Sequence, residues 1–339
     1  MDPETPRIRP GNMARLAFAA ATPLLLLVLA WHLRFVLLLL FAATLIAIVL
    51  DGLARFFARI LPIGRGVGLA VAAVLLIVVG SGVSWMFGSQ LETQISYLIS
   101  LLPGGWRDLQ DWLGEDRVDA VVNRIFPSGG SILTIVQTIG SILAGVLSSF
   151  FLALIGGIFL ATHPATYRRG IVAVVPRSWK ERIGEVLDTL ARVLRAWLRG
   201  QLVSMLFVGT TIYAGLLAIG VSSPLALAVI AALLGFIPVV GPLLAAAPAV
   251  LVGITMEPHD LVAIILLYFV VQNFDGNVLN PLVMSRIVKI PPAVMMFSLF
   301  AIGALFGSVG VLLGGPITVF FFTLIRLLWV EGALGKETG

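Results

Sequence analysis

Polar side chains are concentrated in one short stretch of an otherwise apolar chain. Between residues 272 and 280, five positions carry an amide or a carboxylate: Gln272, Asn273, Asp275, Asn277 and Asn280. Polar groups at membrane depth are candidates for function, and Asp275 is the carboxylate that could bind a proton or a sodium ion. On a helix, Asn273 would share a face with Asn277, and Gln272 with Asp275. The alternative is an ordinary helix C-terminus, capped by Gly276 and Asn277 and stopped by Pro281.

The sequence lacks the residue patterns of common catalytic and metal sites. Cysteine is absent, and the three histidines (His32, His163 and His259) are far apart in the chain. The patterns HExxH, GxSxG and GxxxxGK[ST] do not occur. An intramembrane protease would need a nucleophile beside a base, and Ser308 has no obvious histidine partner. We therefore expect a protein that is not an enzyme and uses neither a metal nor a cofactor.

The composition predicts a membrane protein. Hydrophobic residues make up 59% of the 339 positions and charged residues only 12%, with a mean hydropathy of +1.08. A soluble domain carries about 25% charged residues, so soluble enzymes and nucleic-acid-binding domains are excluded despite the net charge of +5. The expected partner is the lipid bilayer, and no nucleic acid is expected.

Two apolar runs in the C-terminal half are interrupted by glycine and proline. The run 225–256 contains Gly235-Phe236-Ile237-Pro238-Val239-Val240-Gly241-Pro242. Each arm of about 13 residues would rise only about 20 Å, less than the apolar core of a bilayer. The run 293–329 is interrupted in the same way between Gly303 and Pro316, through Gly307 and Gly310. We expect two broken helices or re-entrant hairpins, whose unpaired backbone groups could bind a transported solute.

The same residues permit a different interpretation. Glycine and proline are common in transmembrane helices, where they kink the helix or allow close packing. Gly303 with Gly307, and Gly310 with Gly314, have the GxxxG spacing of helix-association motifs. A channel or a passive scaffold that assembles through these glycines therefore remains an alternative.

The distribution of charge predicts the orientation. Residues 163–200 hold eight basic side chains, which the positive-inside rule assigns to the cytoplasm, and form an amphipathic helix in which Asp188 should pair with Arg192. A hairpin at 225–256 then leaves Glu257 outside and Arg286 inside, with both chain termini cytoplasmic. A break at Trp31–Arg34 should divide the first apolar stretch, residues 16–50.

These features divide the chain into six regions. They are N-terminal transmembrane helices (1–88), an extracytoplasmic polar segment (89–131), a transmembrane helix (132–162), a cytoplasmic amphipathic segment (163–200), a C-terminal transport region with two helical hairpins (201–330), and a cytoplasmic tail (331–339). The predicted fold is an all-α polytopic membrane protein with about eight spans, including the two broken or re-entrant hairpins.

The order of motifs resembles the autoinducer-2 exporter family of bacterial membrane proteins. The resemblance rests on Trp197-Leu198-Arg199-Gly200-Gln201, on Gly235 through Pro242, on Gln272 through Pro281, and then on Pro291, Gly307, Gly310 and Pro316. It implies a multi-pass transporter of the bacterial inner membrane that forms a homo-oligomer, with a pentamer as the suggested form. Asp275 stands where glutamate is frequent in the family.

The function that we expect is secondary transport. The resemblance implies export of a small polar organic molecule, such as an autoinducer-2-like signal or a metabolite, driven by an ion gradient. The alternative is a Na⁺(Li⁺)/H⁺ antiporter in which Asp275 exchanges the ions. We place the pathway at twelve residues: Gly235, Pro238, Gly241, Pro242, Gln272, Asn273, Asp275, Asn277, Asn280, Pro281, Gly307 and Gly310.

Overall fold

The structure is a computed structural model, and it describes residues 25, 28–85, 132–238, 240–254, 256–279, 282 and 290–330. Most of the described residues are helical, and no strand occurs among them, in agreement with the predicted all-α class. Segment 89–131, the tail 331–339, Asn280 and Pro281 lie outside the described residues, and what the sequence predicts for them stays a prediction.

The helices follow one another with short connections. They are α1 (Arg34–Ile60), α2 (Arg65–Trp85), α3 (Ile132–Thr162), α4 (Pro164–Val174), α5 (Lys180–Ile219), α6 (Pro224–Leu234), α7 (Val240–Ile254), α8 (Pro258–Phe274) and α9 (Pro292–Ile325). A π-helical turn, Asp275–Leu279, extends α8, and another, Arg326–Val330, extends α9. The break predicted at Trp31–Arg34 is a single turn residue, Leu33, after which α1 begins.

Proline and glycine set several of these boundaries. A proline occupies the first turn of α4, α6, α8 and α9, where its missing N–H has no intrahelical partner to lose. Helix α5 ends at Gly220, whose left-handed backbone (φ 89°) lets its N–H bond the carbonyls of Leu216 and Leu217.

Several helices are long and apolar enough to cross a membrane. Within the described residues they are α1, α2, α5, α8 with its π-helical turn, and α9, whose length includes the kink at Gly307. A sixth candidate is the pair Ser148–Thr162 and Pro164–Val174, bent by 86°. The predicted number of about eight spans is not confirmed. Helix α5 has 40 residues and rises about 60 Å, twice the thickness of the apolar core. All its charges lie between Lys180 and Arg199, so the charge-free stretch 200–219 alone matches the membrane.

The first interrupted segment forms two short helices, α6 and α7, that pack against each other. With 11 and 15 residues, they rise about 16 and 22 Å, and neither is long enough to span by itself. Alanines of both helices, Ala231 and Ala245, are fully buried in one apolar cluster with α5 and α8. The chain turns between them at residues 235–238, so that Gly241 and Pro242 belong to the first turn of α7.

The second interrupted segment, α9, also folds back on itself. A Cβ placed on Gly303 would lie 2.7 Å from Cγ2 of Val311, and one on Gly314 would lie 2.5 Å from Cδ1 of Leu299. In a continuous helix these pairs would be about 12 and 22 Å apart along the axis. The chain therefore reverses between them, at Gly307, which has a non-helical backbone (φ 67°, ψ −150°). Insertion of either hairpin into a membrane stays a prediction.

This reversal also changes the role of the GxxxG glycines. Gly303, Gly310 and Gly314 are occupied by contacts between the two arms of α9 itself, with Val311, Ile302 and Leu299 respectively. Their spacing therefore serves the packing between the two arms of one hairpin.

Helix α5 joins two of the three apolar clusters in the described part of the chain. Its Ile212 and Leu216 pack with α6, α7 and α8, whereas its Leu194 and Trp197 pack with α1 and α9. The third cluster holds α1, α2 and α3 together around Leu50. The breaks in α6–α7 and in α9 are thereby both brought to α5.

The predicted pairing of Asp188 with Arg192 is wrong. Arg168 of α4 reaches Asp188 with two nitrogens, Nε at 3.0 Å and Nη2 at 2.7 Å. Arg192 instead donates to Thr189 Oγ1 at 3.1 Å. A bidentate pair satisfies both carboxylate oxygens, which a partner one turn away on the same helix does not achieve here.

Candidate functional site

The turn between α6 and α7 is held by α5. The side-chain amide of Gln201 donates to the carbonyl of Gly235 at 2.6 Å, and Gln201 is only 5% exposed. The rings of Trp197 and Phe236 meet edge to face, with centroids 5.7 Å apart. A broken helix leaves carbonyls without intrahelical donors, and Gln201 supplies one of the missing donors.

The second hairpin, α9, also lies against Trp197 of α5. A Cβ placed on Gly315 would lie 2.9 Å from Cζ2 of Trp197 and 3.3 Å from Cδ of Pro238. Gly315 and its neighbour Pro316 are buried. Both interrupted segments therefore contact the indole of Trp197.

The connection between α6 and α7 also requires a glycine, Gly241, in the first turn of α7. A Cβ on Gly241 would stand 1.8 Å from the carbonyl oxygen of Leu234, at the end of α6. The N–H of Gly241 donates to the carbonyl of Ile237 at 3.0 Å. Any side chain here would push α7 away from the end of α6, so the closeness of the two short helices depends on this glycine.

One turn further along α5, a polar pair joins α5 to α8. Ser204 Oγ donates to Asp275 Oδ1 at 2.6 Å. Ser204 is buried and Asp275 is half-buried. Asp275 is the first residue of the π-helical turn, a feature that is frequent at functional sites. Trp197, Gln201 and Ser204 follow one another at spacings of four and three, so they line one face of α5.

The face of α8 that continues to Asp275 carries two polar atoms that are shielded from solvent. Tyr268 Oη and Gln272 Nε2 are inaccessible to solvent and have no hydrogen-bond partner among the described residues. Tyr268 is 3% exposed and lies in the cluster with α5, α6 and α7. Tyr268, Gln272 and Asp275 are spaced four and three residues apart, so this side of α8 presents a phenol, an amide and a carboxylate in a row.

The structure divides the predicted amide cluster. Asn273 and Asn277 lie on the exposed side of α8, away from Asp275. Asn273 Nδ2 donates to the carbonyl of Phe269 at 2.8 Å, and Asn277 Nδ2 is 3.5 Å from Asn273 Oδ1. Asn280 and Pro281 lie outside the described residues.

The remaining predicted residues belong to the two hairpins. Pro242 is half-buried in the first turn of α7, and Gly307 is exposed at the reversal of α9. Gly310 is buried, with its missing side chain directed at the carbonyl of Ile302 in the opposite arm, 2.5 Å from where a Cβ would stand. They shape the two hairpins, and they would act on a ligand through that shape.

Sequence reasoning missed Ser204 and Tyr268. Ser204 extends the face formed by Trp197 and Gln201, and this helical spacing is a signal that could have pointed to it. Tyr268 lies four residues before Gln272 in the same way. Among the described residues, no group of three His, Asp or Glu side chains could hold a metal ion. His259 lies 3.3 Å from Glu257 and 3.2 Å from Asp260, at the exposed start of α8.

The chain is similar to known proteins along most of its length. A model of the AI-2E family transporter matches residues 21–328. The candidate transport protein YueF of Bacillus subtilis (strain 168) is 34% identical over 161 residues, which is 46% of this chain and 44% of YueF. The chain thus matches less than half of the length of that relative.

Two proteins of Escherichia coli (strain K12) extend the comparison. The candidate transport protein YhhT is 25% identical over 305 residues, 85% of this chain and 82% of YhhT. The AI-2 transport protein TqsA is 24% identical over 209 residues, 60% of this chain and 58% of TqsA.

Proposed function

Since the chain belongs to the AI-2E family of transporters, we propose that it is a secondary transporter that exports a small polar organic molecule across the bacterial inner membrane, coupled to an ion gradient. The observation that carries this proposal is the meeting of two interrupted helical segments on one face of α5, beside the polar face of α8. Interrupted helices present backbone amides and carbonyls inside a membrane, and transporters bind their substrates at such breaks.

The polar face of α8 supplies groups that would hold the solute. Tyr268 Oη and Gln272 Nε2 are donors that find no protein acceptor among the described residues. A buried donor without a partner costs free energy, and a solute oxygen would offset that cost. We therefore infer a solute with hydroxyl or carbonyl oxygens, such as an autoinducer-2-like signal or a metabolite. The name of TqsA, an AI-2 transport protein, supports this class.

We assign ion coupling to Asp275. A carboxylate on a spanning helix can bind a proton or a cation, and such groups mark ion pathways. Ser204 is placed to respond, because a hydroxyl that donates to the ionised carboxylate can turn its oxygen towards a bound cation. The same pair favours the second candidate function, a Na⁺(Li⁺)/H⁺ antiporter that carries no organic solute.

The membrane orientation and the oligomer are further parts of the proposal. The basic residues of α4 and of the first half of α5 support a cytoplasmic position for this region and for both termini. Asn273 and Asn277 are exposed on a helix that is apolar enough to span, where lipid offers amides no hydrogen-bond partner. A second copy of the chain would cover them, so we expect a homo-oligomer, which cross-linking in membranes would test.

The decisive experiment is transport by the purified full-length protein in sealed vesicles. A panel of small polar metabolites and cations is offered with and without an imposed H⁺ or Na⁺ gradient. Export coupled to an ion predicts accumulation only with the gradient, whereas accumulation without it would contradict the coupling. Cation exchange with no movement of any metabolite would favour the antiporter, and currents at channel rates would exclude a carrier.

Two pairs of variants separate the solute from the ion. Tyr268→Phe should weaken the apparent affinity for the solute by about tenfold, as expected for one buried hydrogen bond. Its control is Tyr213→Phe, since Tyr213 is 39% exposed on α5. Asp275→Asn should abolish gradient-driven transport but retain solute counterflow, whereas Glu257→Gln, in the exposed loop before α8, should retain both. Undiminished coupling in Asp275→Asn would remove this carboxylate from the mechanism.

A further inference from the structure

Two arginines share one carboxylate where α1 and α2 meet. Asp51 of α1 pairs with Arg55, one turn further along the same helix. Asp51 Oδ1 also lies 3.2 Å from Nη2 of Arg65, the first residue of α2. Both pairs are partly exposed, with side-chain exposures of 45% for Arg55 and 55% for Arg65.

Arg195 of α5 completes this group. Burial has the largest influence on its guanidinium, and the charges of Arg55, Asp51 and Arg199 act on it as well. Its Nε is shielded from solvent and has no hydrogen-bond partner among the described residues. A guanidinium N–H that is buried without an acceptor is costly. The carbonyls of Asp51 and Ala161 also accept from Arg55 and Arg65, but the one carboxylate of Asp51 balances the charge of only one of the four arginines. The group carries an excess of positive charge together with a vacant donor.

This arginine group lies where each of the three helices changes from apolar to charged. Helix α1 has no charged residue from Phe35 to Leu50, immediately before Asp51. Helix α2 has none after Arg65, and α5 has none after Arg199. The apolar stretches of α1 and α2 therefore end at the same level, where Asp51 meets Arg65, and the charged part of α5 ends one turn after Arg195. Such a boundary is where a bilayer changes from acyl chains to phosphates.

From these observations we propose that Arg55, Arg65, Arg195 and Arg199 form a binding site for a phosphate group. The site is separate from the polar face of α8, and it does not depend on the proposed transport function. Guanidinium groups bind phosphate oxygens through paired, charge-assisted hydrogen bonds, and a phosphate oxygen would accept from the shielded Nε of Arg195. Because the group sits at the border of the apolar stretch, the headgroup of an anionic phospholipid is the source that fits best.

The test compares lipids by the thermal stability of the purified protein in detergent. Phosphatidylglycerol should raise the apparent melting temperature more than phosphatidylcholine, and Arg195→Gln should weaken this effect at least about tenfold in lipid concentration. Arg192→Gln is the matched control, because it removes the same charge from the same helix and its partner is Thr189. Equal stabilisation by both lipids, or an equal loss in the Arg192 variant, would overturn the proposal.

Further arms identify the source of the phosphate and guard against misfolding. Stabilisation by inorganic phosphate alone, abolished by Arg195→Gln, would support the phosphate site and assign it to a soluble anion. Arg195→Lys keeps the charge and should restore part of the response to phosphatidylglycerol. If the Arg195 variants do not fold, Arg65→Gln, which alters an exposed side chain, should weaken the lipid response, and an unchanged response would contradict the proposal.

Discussion

Replacement of Gly241 by alanine provides a direct test of the first hairpin. The added Cβ would stand 1.8 Å from the carbonyl oxygen of Leu234 and 2.7 Å from its carbonyl carbon. Both neighbours are backbone atoms, so no side-chain rotation can relieve the clash. The start of α7 must move away from the end of α6.

The size of the effect follows from this distance. Non-bonded atoms rest at about 3.5 Å or more, so the two backbones must separate by roughly 1.7 Å. Forcing an extra carbon into packed structure costs about 1–3 kcal/mol, and the rigid neighbours favour the upper end. The displacement also reaches the Gln201–Gly235 hydrogen bond and the Trp197–Phe236 contact, because both hold this turn on α5.

The assay is the apparent melting temperature of purified protein, followed by vesicle transport. At about 2 °C per kcal/mol for a chain of this size, Gly241→Ala should lower the melting temperature by about 2–6 °C. The control is Gly82→Ala in α2, where a Cβ meets nothing within 4 Å. Alanine has the higher helix propensity, so this variant should be unchanged or up to about 1 kcal/mol more stable. Equal stability of the two variants would refute the close approach of α6 and α7.

Two other substitutions test the remaining parts of the site by the same measurements. Gly307→Ala meets no atom within 4 Å, but its backbone (φ 67°, ψ −150°) is nearly restricted to glycine, so we expect a loss of about 1–3 kcal/mol. A loss no larger than that of Gly170→Ala, in the exposed part of α4, would argue against a reversal at this residue. Gln201→Leu leaves the Gly235 carbonyl without its donor and should cost about 1–3 kcal/mol and reduce transport. Thr210→Val is the control, because it removes a hydroxyl that bonds only to its own helix, and it should have little effect. Equal losses of stability and transport in the two variants would contradict the role of the Gln201–Gly235 hydrogen bond.

Local signals account for much of the helical framework. Prolines such as Pro224 and Pro258 open helices because a first-turn residue needs no N–H, and this rule depends on nothing distant in the chain. The interruption after Leu234 was predictable for the same reason, since the closely spaced Gly235, Pro238 and Gly241 cannot continue a regular helix. The break in α9 was also expected, but its position was not, because five glycines offered a turn and only packing between the arms selects Gly307.

The candidate site was predictable only in part. Asp275 stood out because a carboxylate in an apolar stretch is costly wherever it lies. Its partner Ser204 is 71 residues away, and a lone serine in an apolar helix gives no comparable signal. Helical spacing already separated Asn273 and Asn277 from the face of Asp275, and the direction in which α8 packs decides that they lie on the exposed side.

Composition and local pattern by themselves determined that this is a helical membrane protein with interrupted helices and scarce intramembrane charge. Those properties follow from hydropathy and from backbone chemistry, which act over a few residues. Only the tertiary structure decided that both interruptions meet at Trp197, that Asp275 faces Ser204, and that Asp188 pairs with Arg168. Such contacts join residues far apart in the chain, and they depend on how the helices rotate and cross, which the packing of their faces sets.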